Sequence, residues 1–251
     1  MHQNDSRNVK SIPEKVLRKK FYLWRDNGIF YKAYKLCMDY YVNLIDMTNI
    51  FIDSSIIQND NCNECIGHTY KLKSKKAIKI NSIVTSDKIT ISHIISKPNV
   101  HDVNFIEPCL NQLSNNLNNS YHKPLYVVGD KGYTSNKIKL DLKQSNIILV
   151  YPNKSNAKNP KINYKYKSKL KERFKVEVSY AYTKKRYKRI KNPTDKKIIN
   201  YNAFYMLSIT MDIIRHIYDK RLFSKFNQIV TKSLGQSNNN FKYDATIHIQ
   251  Y

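Results

Sequence analysis

The stretch LYVVGDKGYTSNKIK, residues 125–139, decides how this chain is to be read. Leu125 to Val128 form an apolar run of strand length. Gly129, Asp130, Lys131, Gly132 and Tyr133 follow. Ser135 then stands where a helix N-cap belongs, with the helix predicted to run to about Gln144. A carboxylate at the end of an apolar strand either caps a turn or holds something positive. The surrounding chain is basic, with 44 Lys and Arg against 19 Asp and Glu and a formal net charge of +25 over 251 residues.

That charge repels itself and calls for a polyanion. Nucleic acid leads, because neutralised phosphates release counterions and supply most non-specific affinity. A membrane surface is the alternative, but no apolar run reaches the roughly 18 residues of a span, and no signal peptide is visible. The expected location is therefore intracellular, cytoplasmic or nucleoid-associated if the source is bacterial. The 20 tyrosines, with many Asn, Lys and Ile, point to an AT-rich genome. Such a bias inflates Lys without selection for binding, which discounts the charge.

Outward from the opening stretch, residues 14–46 read as two helices broken at Asp26-Asn27-Gly28. NIFIDSSII at 49–57 reads as a short strand ending near Asp53, and residues 58–75 as loop. AIKINSIVTSDKITISHIIS at 77–96 alternates across a polar TSDK tip and predicts a hairpin. A helix from about Asp102 to Leu117, a strand at 147–151, a long basic helix over about 166–190 and an apolar helix over about 201–218 complete the pattern. The fold class is α/β: an RNase H-like mixed sheet flanked by helices, preceded by a short helical segment. The expected division is a helical segment at 1–46, a catalytic domain at 47–218 and a loosely ordered tail at 219–251.

Three acids stand out. Asp53 lies near the end of the first strand, Asp130 at the end of the fourth, and Glu177 inside the basic helix. If those strands are neighbours, Asp53 and Asp130 sit side by side, and two such carboxylates repel unless a cation intervenes. Mg²⁺ takes oxygen ligands of this kind. A pair of ions about 4 Å apart can stabilise both the attacking and leaving oxygens of a phosphoryl displacement. At 100° per residue Arg173, Glu177 and Lys184 share one helical stripe. The plain alternative is an i,i+4 Arg–Glu pair on a solvated face.

FIDSSII, GHTYKLKSKKAIKINSIV, SKPNVHD, VVGDKGYTS and RFKVEVSYAYTKKRYKRI occur in one order and together resemble the DDE transposases of bacterial insertion sequences, in the group without an inserted β-domain. LRKKFYLWRDNGIFYKAY is similar to the helical segment preceding their catalytic core. The resemblance runs from about Lys15 to Tyr218. It implies that Asp53, Asp130 and Glu177 are catalytic and coordinate divalent metal, Mg²⁺ or Mn²⁺ and two ions. It further implies cleavage of double-stranded DNA at element ends, strand transfer to target DNA, and a homodimer on DNA. The family's Tyr, Arg, Glu, Lys signature is matched by Arg173, Glu177 and Lys184, while its tyrosine position is Leu170. The relatives carry several dozen residues before the counterpart of Lys15, so the N-terminus is expected to be short. A truncated DNA-binding remnant without activity is the alternative.

Candidate DNA contacts are Arg173, Lys184, Lys185, Arg186 and Arg189 on the basic helix, Lys131 and Tyr133 beside Asp130, and Lys76 and Lys79 at the hairpin entry. His101 and Asp102 are read as ordering a turn and helix start. Cys62, Cys65 and His68 have part of a zinc spacing but no second pair, and a zinc-dependent nucleic-acid module is the third reading.

Overall fold

A computed structural model describes residues 12–73, 75–113, 124–152 and 166–220. The expected C-terminal tail therefore lies almost wholly outside the described residues, as do the start of the N-terminal segment and residues 114–117 of the expected helix. Helices α1 (Glu14–Asp26) and α2 (Ile29–Val42) are separated by Asn27 and Gly28. Gly28 has φ 64°, the left-handed conformation glycine adopts without penalty, which turns the chain between them.

The sheet is mixed. Strand β1 (Asn49–Gln58) is central, with β3 (Lys75–Thr85) antiparallel on one side and β5 (Leu125–Val128) parallel on the other. Strand β6 (Ile147–Val150) extends the parallel half. Beyond β3, its outer edge is shared by β2 (Gly67–Thr69) and β4 (Thr90–Ser96). Three antiparallel strands that meander and two parallel strands reached through helices make the RNase H-like arrangement. Nearly all of β3 and all of β4 is buried, so both sheet faces are covered.

Helix α3 (Ile106–Asn111) covers one face, and the Ser92 hydroxyl of β4 donates to the Cys109 carbonyl at 2.8 Å. Helix α4 (Asn136–Gln144) joins β5 to β6, with the Ser135 hydroxyl capping the Ile138 N–H at 3.3 Å. On the opposite face lie α5 (Lys167–Lys171), α6 (Phe174–Arg186), α7 (Lys188–Lys191) and α8 (Ile198–Asp219). Buried His93 of β4 meets Asn202 of α8 at 2.8 Å, and Phe21 of α1 stacks on Phe204 at 4.4 Å, which ties the N-terminal helices to the core. Trp24 remains half-exposed, edge-on to Phe30.

Three expectations require correction. Residues 58–75 are not all loop, because β2 pairs with the start of β3. Gly67 lets it pack tightly, since a Cβ there would lie 2.9 Å from the Pro98 ring. The long basic helix is three helices, interrupted at Glu172–Arg173 and at Tyr187, whose backbone is extended (φ −113°, ψ 92°) while its hydroxyl donates to Asp212 at 2.9 Å. The helix after SKPNVHD begins as a 3-10 turn, Asp102–Phe105, before α3.

Candidate active site

Sheet register brings the first two acids together. β1 and β5 pair as Asn49↔Tyr126, Ile50↔Val127 and Phe51↔Val128, and the same offset continued two residues sets Asp130 level with Asp53. Asp53 is not at the end of its strand, as expected, but its fifth residue, because β1 stays paired with β3 through Gln58↔Ala77. Asp130 lies two residues past the end of β5 and caps the turn that follows: its Oδ1 accepts the Gly132 N–H at 2.7 Å. Of the two alternatives open for Asp130, the cap is present and engages one of its two oxygens.

Two glycines make this turn feasible. A Cβ on Gly129 would lie 2.9 Å from the Tyr133 ring, and one on Gly132 would lie 2.9 Å from Asp130 Oδ1. Tyr133 thus folds back beneath the strand end and is fully buried. Its full burial, with Gly129 packed on the ring, makes it no surface contact for DNA, contrary to the expectation from sequence. Burial, then nearby Asp102 and Asp53, hold its hydroxyl well above the usual phenol range.

Helix α6 brings the third acid. Arg173 Nη1 lies 3.2 Å from Asp53 Oδ2, and Arg173 Nη2 lies 3.1 Å from Glu177 Oε1. Tyr180, one turn on, lies with its hydroxyl 3.0 Å from both the Asp53 and Ile80 carbonyl oxygens, donating its one proton between them. Lys184 donates to Ser55 Oγ at 2.7 Å, and burial lowers its proton affinity. The stripe Arg173, Glu177, Tyr180, Lys184 is therefore the surface by which α6 sits on β1. The plain i,i+4 pair exists, but the same guanidinium also reaches Asp53.

Asp53 is pushed up to about 6, first by burial, then by the like charges of Asp130 and Glu177. The Ser54 N–H, 2.7 Å from Oδ1, and Arg173 oppose that rise. Asp130 and Glu177 both act on Asp53 by like charge, and carboxylate oxygens are the donors a divalent cation takes. Among the described residues no three His, Cys, Asp or Glu side chains are already gathered about a single ion position. Arg173 holds the space between Asp53 and Glu177, so joint ligation requires its guanidinium to move.

The remaining candidates separate by geometry. Lys131 and Lys185 are exposed, as is Lys76. Side chains alternate along a strand, and Lys76 shares the Asp53 face with Ser82, the partner of Asp53. Lys79 points to the other face. It is buried, donating to the Val100 carbonyl and, at 2.8 Å, to Asp102 Oδ1, so it does not reach a phosphate. Asp102 is therefore this lysine's partner, and neither it nor His101 makes a side-chain cap at that turn. Arg186 is engaged with Asp212, and Arg189 with buried Asp195 at 2.7 and 3.2 Å, so both arginines pin α6 and α7 to their surroundings. Leu170 packs against the core. Cys62 and Cys65 are buried, and burial raises both thiols, while His68 stands exposed on β2.

Residues 42–213 match the family described as Transposase DDE domain. The chain belongs to the DDE transposase family. Among solved structures it is similar to the piggyBac transposase synaptic complex with hairpin DNA, at 13% identity and TM-score 0.47, over 71% of this chain and 48% of that one. It is also similar to the Mos1 transposase paired-end complex with left transposon end, at 11% identity and TM-score 0.31, over 85% of this chain and 66% of that one. The chain thus spans about half of the first protein's length and just under two thirds of the second's. No curated protein sequence matches it. Among the described residues of this DDE transposase, no helix is long and apolar enough to cross a membrane.

Proposed function

We propose that this chain is a DNA transposase acting inside the cell, which cleaves phosphodiesters at the ends of a mobile element and transfers the freed strand to target DNA. What supports the reading is geometry: the β1–β5 register continued two residues puts Asp130 level with Asp53, and Arg173 reaches both Asp53 and Glu177. These three would hold Mg²⁺ or Mn²⁺, two ions by family resemblance. Bound there, divalent cations supply positive charge to the attacking and leaving oxygens.

The protein's own groups do the rest. Arg173, drawn from the carboxylates toward an incoming phosphate, neutralises it, and Lys184 stands one helical turn beyond Tyr180 to receive the next stretch of backbone. Lys131, Lys185 and Lys76 add exposed positive charge. Water attacks the phosphodiester and leaves a 3′-hydroxyl, which attacks target DNA in turn, with no covalent enzyme intermediate. Two ends must be joined, so the active assembly is a homodimer on double-stranded DNA.

The test is strand cleavage of element-end DNA with Mg²⁺ or Mn²⁺ by Asp53→Asn, Asp130→Asn and Glu177→Gln. Each should abolish cleavage and keep DNA affinity. Cleavage retained by Asp130→Asn would sink the assignment.

A further inference from the structure

The sheet face opposite Asp53 holds an ion pair whose lysine is buried and whose carboxylate is part-exposed. Lys79, 4% exposed, is enclosed by the Val100 carbonyl, the Asp102 carboxylate and the Phe105 ring, whose centroid is 5.7 Å from Nζ. A buried lysine loses its hydration and most of its rotamer freedom, so it persists where the fold uses the charge. What the charge meets is Asp102, and the Asp102 carboxylate stands beside Gly132 of the Asp130 turn. A methyl group at Gly132 would lie 2.9 Å from Asp130 Oδ1 and 3.4 Å from Asp102 Oδ2, so the two carboxylates flank one glycine. The N–H of that same glycine donates to Asp130.

We infer that Lys79 and Asp102 are positioning residues for Asp130. Two carboxylates beside one glycine repel. Lys79 neutralises the rear one, so Asp102 buttresses the turn without driving Asp130 off it. Tyr133, pinned under Gly129, closes the turn from below. The pair acts through Asp130 and touches neither DNA nor metal. The inference rests on the proposed function only in treating Asp130 as a ligand.

The test reads the turn directly. In Lys79→Met, Asp102 loses its counter-charge and the Asp130 cap opens. Exchange of the Gly132 amide should quicken about tenfold, as expected for loss of one charge-assisted hydrogen bond. The amides of Ile52 and Val127 should stay at their wild-type rates. With end DNA, the Mn²⁺ concentration giving half-maximal cleavage should rise several-fold while the rate at saturating Mn²⁺ changes little. Should Lys79→Met fail to fold, Asp102→Asn, which keeps an oxygen facing Lys79 and removes the charge behind Asp130, carries the converse measurement: Gly132 exchange should slow several-fold while Ile52 and Val127 stay at their wild-type rates. Gly132 exchange that is unchanged, or that rises in step with Ile52 and Val127, overturns the inference. A wild-type protein that cleaves no DNA, together with a responsive Gly132 amide, overturns the proposed function and leaves the positioning role intact.

Discussion

Arg173 Nη1 stands 3.2 Å from Asp53 Oδ2 while the same guanidinium reaches Glu177, so one cation sits between two acids proposed to share metal. Removing it exposes the repulsion it masks. In Arg173→Ala stability at neutral pH should fall by about 1–2 kcal/mol, since Asp53 is mostly buried and loses its partner. Mn²⁺ should then raise the melting temperature more in Arg173→Ala than in wild type, because no side chain competes for the position. Equal shifts in the two proteins would show that Arg173 and the ion do not contend.

Asp53 carries its own pH signature. Its folded pKa of about 6 lies above the ordinary 3.8, so the stability it contributes is full below about pH 4 and is lost as pH rises through 6. The loss is on the order of 2–3 kcal/mol. Thermal melts without divalent ions should show this decline, and Asp53→Asn should flatten it. A divalent ion that needs the ionised carboxylate should stabilise far more at pH 8 than at pH 5.

The two glycines of the Asp130 turn should fail differently. Gly129→Ala drives a methyl group into the Tyr133 ring and Cβ, which cannot yield, and should cost about 1–3 kcal/mol in denaturant melts. Gly132→Ala meets the movable end of Asp130 and should spare stability yet remove most cleavage. Matching losses for both variants would contradict this division.

Tyr180 and Arg189 test which contacts hold the helices. Tyr180→Phe removes the donor shared by the Asp53 and Ile80 carbonyls and should cost about 1–2 kcal/mol. Arg189→Ala strands buried Asp195 and should cost on the order of 2 kcal/mol. Exposed Lys185→Ala should leave the melt unchanged and lower the salt dependence of DNA binding by about one phosphate contact. A weaker salt slope in Arg189→Ala, with its melt intact, would return that arginine to the DNA surface.

Periodicity found the long elements because they are amphipathic over many residues: the hairpin at 77–96, the α1–α2 break at Gly28 and the Ser135 cap are all read from local pattern. β2 escaped because three residues have no period, and its place is set by Gly67 against Pro98. Lys76 and Lys79 look alike in sequence. Only the pairing of Asp53 with Ser82 tells which faces the acids, and that register is a long-range property. The alternatives for Asp130, cap or cation holder, were both open in sequence, and the turn shows one oxygen capping while the residue stands level with Asp53. Arg186 and Arg189 read as free bases in sequence because their partners Asp212 and Asp195 lie on or near a helix whose docking no local signal encodes.

The three acids are also separated in time. Asp53 and Glu177 are 124 positions apart, and at ribosomal rates that interval is about 6–25 seconds. During it, β1 and β5 can meet and set Asp53 beside Asp130. Arg173, the base that pairs with Asp53 and lies between it and Glu177, is made only four residues before Glu177. A growing chain therefore holds two facing acids for several seconds before its own remedy has been synthesised.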